Sequence, residues 1–148
     1  MKTQVGFMVV WLLVSIGSVQ AQALFTFDDE GMARTHLELS AHGRDITGLC
    51  LMRQSEDTLR GSVINEFGIK AFDFTYREGK TKLMNVASFL NKWYIRRTLQ
   101  RDLSFLFSQT TSCCRGQRSV EKNGDTVSLV NKRHKLTYRF RNLDEITE

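Results

Sequence analysis

The stretch Ile64-Asn65-Glu66-Phe67-Gly68-Ile69-Lys70-Ala71-Phe72-Asp73-Phe74-Thr75-Tyr76 sets three aromatic rings at every second position directly after a turn signal. Successive side chains of a strand point to opposite faces, so Phe72, Phe74 and Tyr76 share one face while Asp73, Thr75 and Arg77 share the other. The row of rings faces either an ordinary core or the wall of a cavity holding something apolar, and the function of the chain turns on which.

Working outward, the same period of two recurs on both sides. Upstream, Thr35, Leu37 and Leu39 alternate with Arg34, His36, Glu38 and Ser40, which predicts a first strand with one buried face. After a turn at 41–45, a second strand is predicted over 46–53, with Leu49 and Leu51 on one face and Ile46, Cys50 and Met52 on the other. A third follows over 58–65. Downstream of the aromatic strand, Glu78-Gly79 marks a tight turn and 81–86 a fifth strand. Five strands joined by short loops predict an antiparallel meander.

The period changes at Ser88. Phe89 and Trp93 are four apart, and Ile95, Leu99, Leu103 and Leu106 are spaced by four, four and three, which predicts a helix over 88–107 with Ser88 as its N-cap. Lys92, Arg96, Arg97 and Arg101 fall largely on its other side. A polar connection over 112–116 leads back to strands at 118–122 and 125–130 around Asn123-Gly124, a hairpin signal. A last strand, 135–141, alternates Leu136, Tyr138 and Phe140 with Lys135, Thr137, Arg139 and Arg141. The fold class predicted is α+β, about eight antiparallel strands with one face covered by helix.

The chain has 148 residues, enough for one domain with a sizeable core, and its 41% hydrophobic and 25% charged content are those of a globular protein rather than a disordered one. Residues 1–23 read as a signal peptide: Lys2 provides the positive start, 5–16 the apolar run, and Ala21 and Ala23 two small-residue cleavage registers. Residues 24–148 are then a single domain, exported to the periplasm. No cysteine follows the apolar run within the cleavage region, the first being Cys50, so the usual lipid-attachment site is missing, and removal of Lys2 leaves an excess of four basic over acidic groups. The cysteine count of three is odd. Cys113 and Cys114 are adjacent, so a bridge from one of them to Cys50 is one expectation, and three free thiols the other.

Side-chain chemistry argues against an enzyme. His36, His42 and His134 stand alone without a partner at metal-ligand spacing, and the sequence has no Gly-rich phosphate loop, nucleophile elbow or zinc-protease helix. No catalytic residue, metal or cofactor is expected. The basic helix carries Trp93 and Tyr94 among its charges, a pattern compatible with nucleic acid. Export makes anionic lipid headgroups or a protein partner the better expectation, and a plain solvated face equally so.

The segments ITGLCLMR (46–53), LRGSVINEFGIKAFDF (59–74) and LNKW (90–93) together resemble the LolA/LolB-like lipoprotein carriers, most closely the divergent LolB-like lipoproteins of Bacteroidetes. The similarity covers about residues 34–107. It implies a curved sheet, an incomplete barrel, with a helical lid over an apolar cavity that takes acyl chains. By position, Phe72, Phe74, Tyr76 and Leu83 would line the sheet side and Phe89 and Trp93 the lid, with Lys92, Arg96, Arg97 and Arg101 at headgroups or a partner. The lipidated N-terminal cysteine of LolB-type members has no counterpart here, so the resemblance implies a soluble, monomeric carrier of lipid or lipoprotein acyl chains. The alternative is a cell-envelope structural or interaction protein with a filled core, its basic helix touching a membrane surface or a protein.

Overall fold

A computed structural model describes residues 24–143; the signal peptide read at 1–23 lies outside them. The described chain is α+β: nine strands in one antiparallel sheet and one helix. The strands are β1 (Met32–Ala41), β2 (Arg44–Ser55), β3 (Thr58–Asn65), β4 (Lys70–Arg77), β5 (Lys80–Met84), β6 (Cys113–Arg115), β7 (Arg118–Asn123), β8 (Thr126–Asn131) and β9 (Leu136–Asn142), and α1 is Trp93–Ser108. Their order across the sheet is β5-β4-β3-β2-β1-β9-β8-β7-β6, so the sheet does not close into a barrel.

The chain meanders outward from β1 to the edge at β5, crosses to the opposite edge at β6, and meanders back until β9 pairs with β1. Eight strand spacings of a flat sheet would separate those edges by roughly 38 Å. A helix the length of α1 spans only about 24 Å. The crossing is short because the sheet curves: α1 packs on β5 and also meets β7 and β8 in the other half.

Local chemistry sets the turn of the opening stretch. The Asn65 side-chain oxygen accepts the backbone N–H groups of Phe67 and Ile69 at 3.0 and 2.9 Å, closing a tight turn before β4. From Phe72 onward the alternation holds. Phe72 and Phe74 are buried, while Asp73 on the reverse face accepts from Ser62 Oγ, Asn85 Nδ2 and Lys70 Nζ at 2.5, 2.8 and 3.2 Å. Partial burial raises the Asp73 carboxyl, but those donors and the lysine charge outweigh it and hold the group below its ordinary range.

The core is one cluster between sheet and helix. Ala33 and Leu37 of β1, Cys50 and Met52 of β2, Tyr138 and Phe140 of β9 and Leu99, Leu103, Leu106 and Phe107 of α1 are all buried in it. Phe107 is its aromatic hub, stacked on Phe74 at 5.3 Å and tilted against Tyr76 and Phe25 at 5.6 and 6.1 Å. Gly61 lies opposite Phe74, and a Cβ there would come within 2.3 Å of the ring, so the aromatic strand needs glycine at this cross-strand position.

Several expectations are corrected. The helix starts at Trp93, not Ser88: residues 88–91 are spent in turns, and the N-cap is Lys92 in extended backbone with no side-chain bond. The fifth strand stops at Met84 because Asn85 adopts φ 51, a left-handed conformation asparagine tolerates. The polar connection before Gly116 contains a ninth strand, β6, short and at the sheet edge. The hairpin after β7 turns on Gly124-Asp125, one residue later than the Asn-Gly signal suggested. The three thiols are free rather than bridged: Cys50 is buried on β2, whereas Cys113 and Cys114 sit on β6, with β1, β9, β8 and β7 between.

Candidate functional site

Between the sheet and α1 lies an apolar cleft of about 210 Å³. Phe72 and Phe74 of β4 form part of its wall, and Leu99 and Leu103 of α1 face them. At its mouth Ile46 is 49% and Phe89 56% exposed. Gly48 lines the cleft near that mouth, where β2 runs so close to β3 that a Cβ would meet the Ile64 carbonyl oxygen at 2.3 Å. The cleft therefore combines a floor of rings with an open apolar rim.

Of the six residues expected around an acyl chain, Phe72, Phe74 and Phe89 line this cleft. The other three lie elsewhere. Tyr76 packs on Phe107 farther along β4, Leu83 is buried on β5, and Trp93 is 74% exposed at the start of α1, edge-on to Tyr94 at 5.9 Å. Trp93 cannot follow Phe89 onto the cleft because Phe89 precedes the helix instead of sharing its stripe. Leu37, Leu39, Val63 and Leu90 also contribute to the lining, and the strand pattern alone could not have selected them, since it does not show which inward positions the helix leaves uncovered.

Of the four basic residues, Arg97 and Arg101 lie in a separate polar groove on the far side of α1. Lys92 and Arg96 do not: Arg96 Nη1 donates to Asn91 Oδ1 at 3.0 Å in the segment before the helix.

One buried polar group carries no local sign in the sequence. Asp102 of α1 is fully buried. Its Oδ1 accepts from Arg118 Nε and Asn131 Nδ2, each at 2.8 Å, and its Oδ2 accepts from Tyr138 Oη at 2.7 Å. A buried carboxylate is tolerated only when paired and hydrogen-bonded, and here β7, β8 and β9 each supply one donor. Burial, joined by the negative charge of Asp102, pushes the Tyr138 phenol well above its ordinary 10.0. Tyr138 also lines the cleft, so this carboxylate pins the helix to one wall of it. Cys50 lines the cleft too; burial drives its thiol up to about 12, with a hydrogen bond to Thr35 opposing, so it is a small apolar wall group and not a nucleophile.

Among the described residues no group of His, Cys, Asp and Glu is placed to hold a metal ion, and no helix is long and apolar enough to cross a membrane. Comparison with known proteins returns no matching family model and no significant match among curated proteins.

Proposed function

We propose that the protein is a non-enzymatic periplasmic carrier that holds the acyl chains of lipoproteins or another lipid, its sheet acting as an incomplete barrel and α1 as the lid. The observation that carries this reading is the apolar cleft of about 210 Å³ between ring-lined strand and helix, opening at Ile46 and Phe89. An engineered apolar cavity of about 150 Å³ stays dry and admits benzene. A larger cleft of the same character suits a hydrocarbon chain, each methylene leaving water contributing about 0.8 kcal/mol without directional chemistry. The resemblance to LolA/LolB-like carriers points the same way.

The test is native mass spectrometry of the protein purified without detergent, followed by titration with a fluorescent fatty acid. A bound mass released by organic solvent as phospholipid or acylated peptide, and uptake of the probe, are expected. Leu39 is half-buried at the cleft wall. Leu39→Trp should fill the site and suppress uptake while far-UV circular dichroism stays unchanged. A clean apo mass with no uptake would mean that the rings only face one another, and the filled-core alternative would replace this reading.

A further inference from the structure

Half a turn round α1 from the cleft, a second and larger depression of about 580 Å³ lies between the helix and the turns that join β6 to β7 and β8 to β9. Five guanidinium groups line it: Arg97 and Arg101 from α1, Arg115 from β6, Arg118 from β7 and Arg133 from the turn after β8, with His134 beside the last. No aspartate or glutamate lines it. Among the described residues Arg97, Arg101, Arg115 and Arg133 have no carboxylate partner, so their positive charge converges on one groove without internal compensation.

Arg118 is fixed differently. It donates through Nε to the buried Asp102, and its two terminal nitrogens make no bond to the described residues. Its side chain remains 30% exposed. Asp102 thus orients one guanidinium at the back of the groove while Asn131 and Tyr138 hold Asp102. A guanidinium already held in place loses less freedom on binding than one on a free stem.

We propose that this groove is an anion site for a phosphate-bearing ligand, distinct from the apolar cleft and independent of what the cleft holds. One carboxylate offers two oxygens and a single charge. A phosphate group carries between one and two negative charges at neutral pH and enough acceptor oxygens to take bonds from several guanidinium forks at once, which is what a convergence of this size can satisfy. Free phosphate compounds and phospholipid headgroups share that chemistry. Trp93 and Tyr94, both exposed, stand at the helix end of the groove, where a ligand would alter their surroundings.

Trp11 and Trp93 are the two tryptophans of the chain, so the full chain carrying Trp11→Phe reports on the groove through Trp93 fluorescence. Inorganic pyrophosphate should give a saturable change in emission that sodium chloride at equal ionic strength does not. Arg101→Gln and Arg115→Gln should each weaken it about tenfold, the scale of one charge-assisted hydrogen bond. Lys82→Gln, an exposed basic residue on β5 outside the groove, should leave it unchanged. Vesicles of phosphatidylcholine, with and without phosphatidylglycerol, distinguish the sources. Saturation by pyrophosphate without a response to anionic vesicles assigns a free phosphate compound, and a response to anionic vesicles that the two groove variants abolish assigns a headgroup. No saturable response to pyrophosphate or vesicles overturns the proposal, as does a response that Lys82→Gln weakens as much as the groove variants. Uptake of a fluorescent fatty acid by Arg101→Gln should match that of the parent chain, separating this site from the cleft.

Discussion

Replacing Asp102 with alanine removes the acceptor for three donors at once. Asn131 and Tyr138 are 1% and 2% exposed, so neither can turn to water when the carboxylate is lost. Each buried donor left unpaired costs about 1–3 kcal/mol. Arg118, at 30% exposure, rehydrates in part, and the desolvation cost of the Asp102 charge itself is relieved, so the expected loss is toward the low end for a broken buried pair, about 3 kcal/mol. That is a large share of a typical total of about 5–15 kcal/mol. With a urea slope of about 2 kcal/mol/M the unfolding midpoint should fall by about 1.5 M. The cycle with Tyr138→Phe isolates the pair: that change should cost about 1.5–3 kcal/mol in the parent chain, since it removes a bond to a charged group, and should instead recover about 1–3 kcal/mol once Asp102 is gone, since it then removes a buried donor left unpaired. A loss below about 1 kcal/mol for Asp102→Ala, or an equal cost of Tyr138→Phe in both backgrounds, would refute the claim that this carboxylate ties α1 to β7, β8 and β9.

The free thiols predict that a disulfide-exchange reagent labels Cys113 and Cys114 in the native protein and reaches Cys50 only after unfolding; rapid native labelling of Cys50, or no labelling of the β6 pair, would contradict the placement. Alkali should destabilise the fold, because Cys50 and Tyr138 both bind their protons more tightly folded than unfolded: their contribution is intact below 9.0 and is lost as pH rises from 9.0 through about 12 for Cys50 and from 10.0 upward for Tyr138. A urea midpoint unchanged between pH 7 and pH 10.5, roughly, would count against it. Gly61→Ala should cost about 1–3 kcal/mol, since the Phe74 ring that must yield is itself stacked on Phe107, and near-UV circular dichroism should change with it; a neutral substitution would mean the ring moves freely.

Most of the sheet is legible from local pattern. Alternation in β1, β4 and β9 assigns the buried sides to Leu37, Phe72 with Phe74, and Tyr138 with Phe140, and the structure agrees. The helical stripe Leu99, Leu103 and Leu106 is likewise buried. Strand β2 was ambiguous, with apolar residues on both faces; Cys50 and Met52 point inward while Leu49 is 39% exposed, a choice made by what lies opposite. Leu24 and Phe25, next to the predicted cleavage site, are buried, with Phe25 edge-on to Phe140 at 5.6 Å.

What the sequence by itself determined is therefore what neighbours along the chain decide: strands and hairpins from a period of two punctuated by turn residues, and one amphipathic helix from a period of 3.6. What only the tertiary structure decided needs residues far apart to meet. A lone aspartate in a helix carries no local sign that Arg118, Asn131 and Tyr138 will surround it. Arg97 and Arg101 look like a solvated face until the return of β6 to β9 sets Arg115, Arg118 and Arg133 against them. The same holds for the cleft: alternation shows that rings point inward, but how much space remains beneath them depends on where the crossing helix lies, and a curved sheet joined edge to edge by a single helix leaves part of its inner face uncovered.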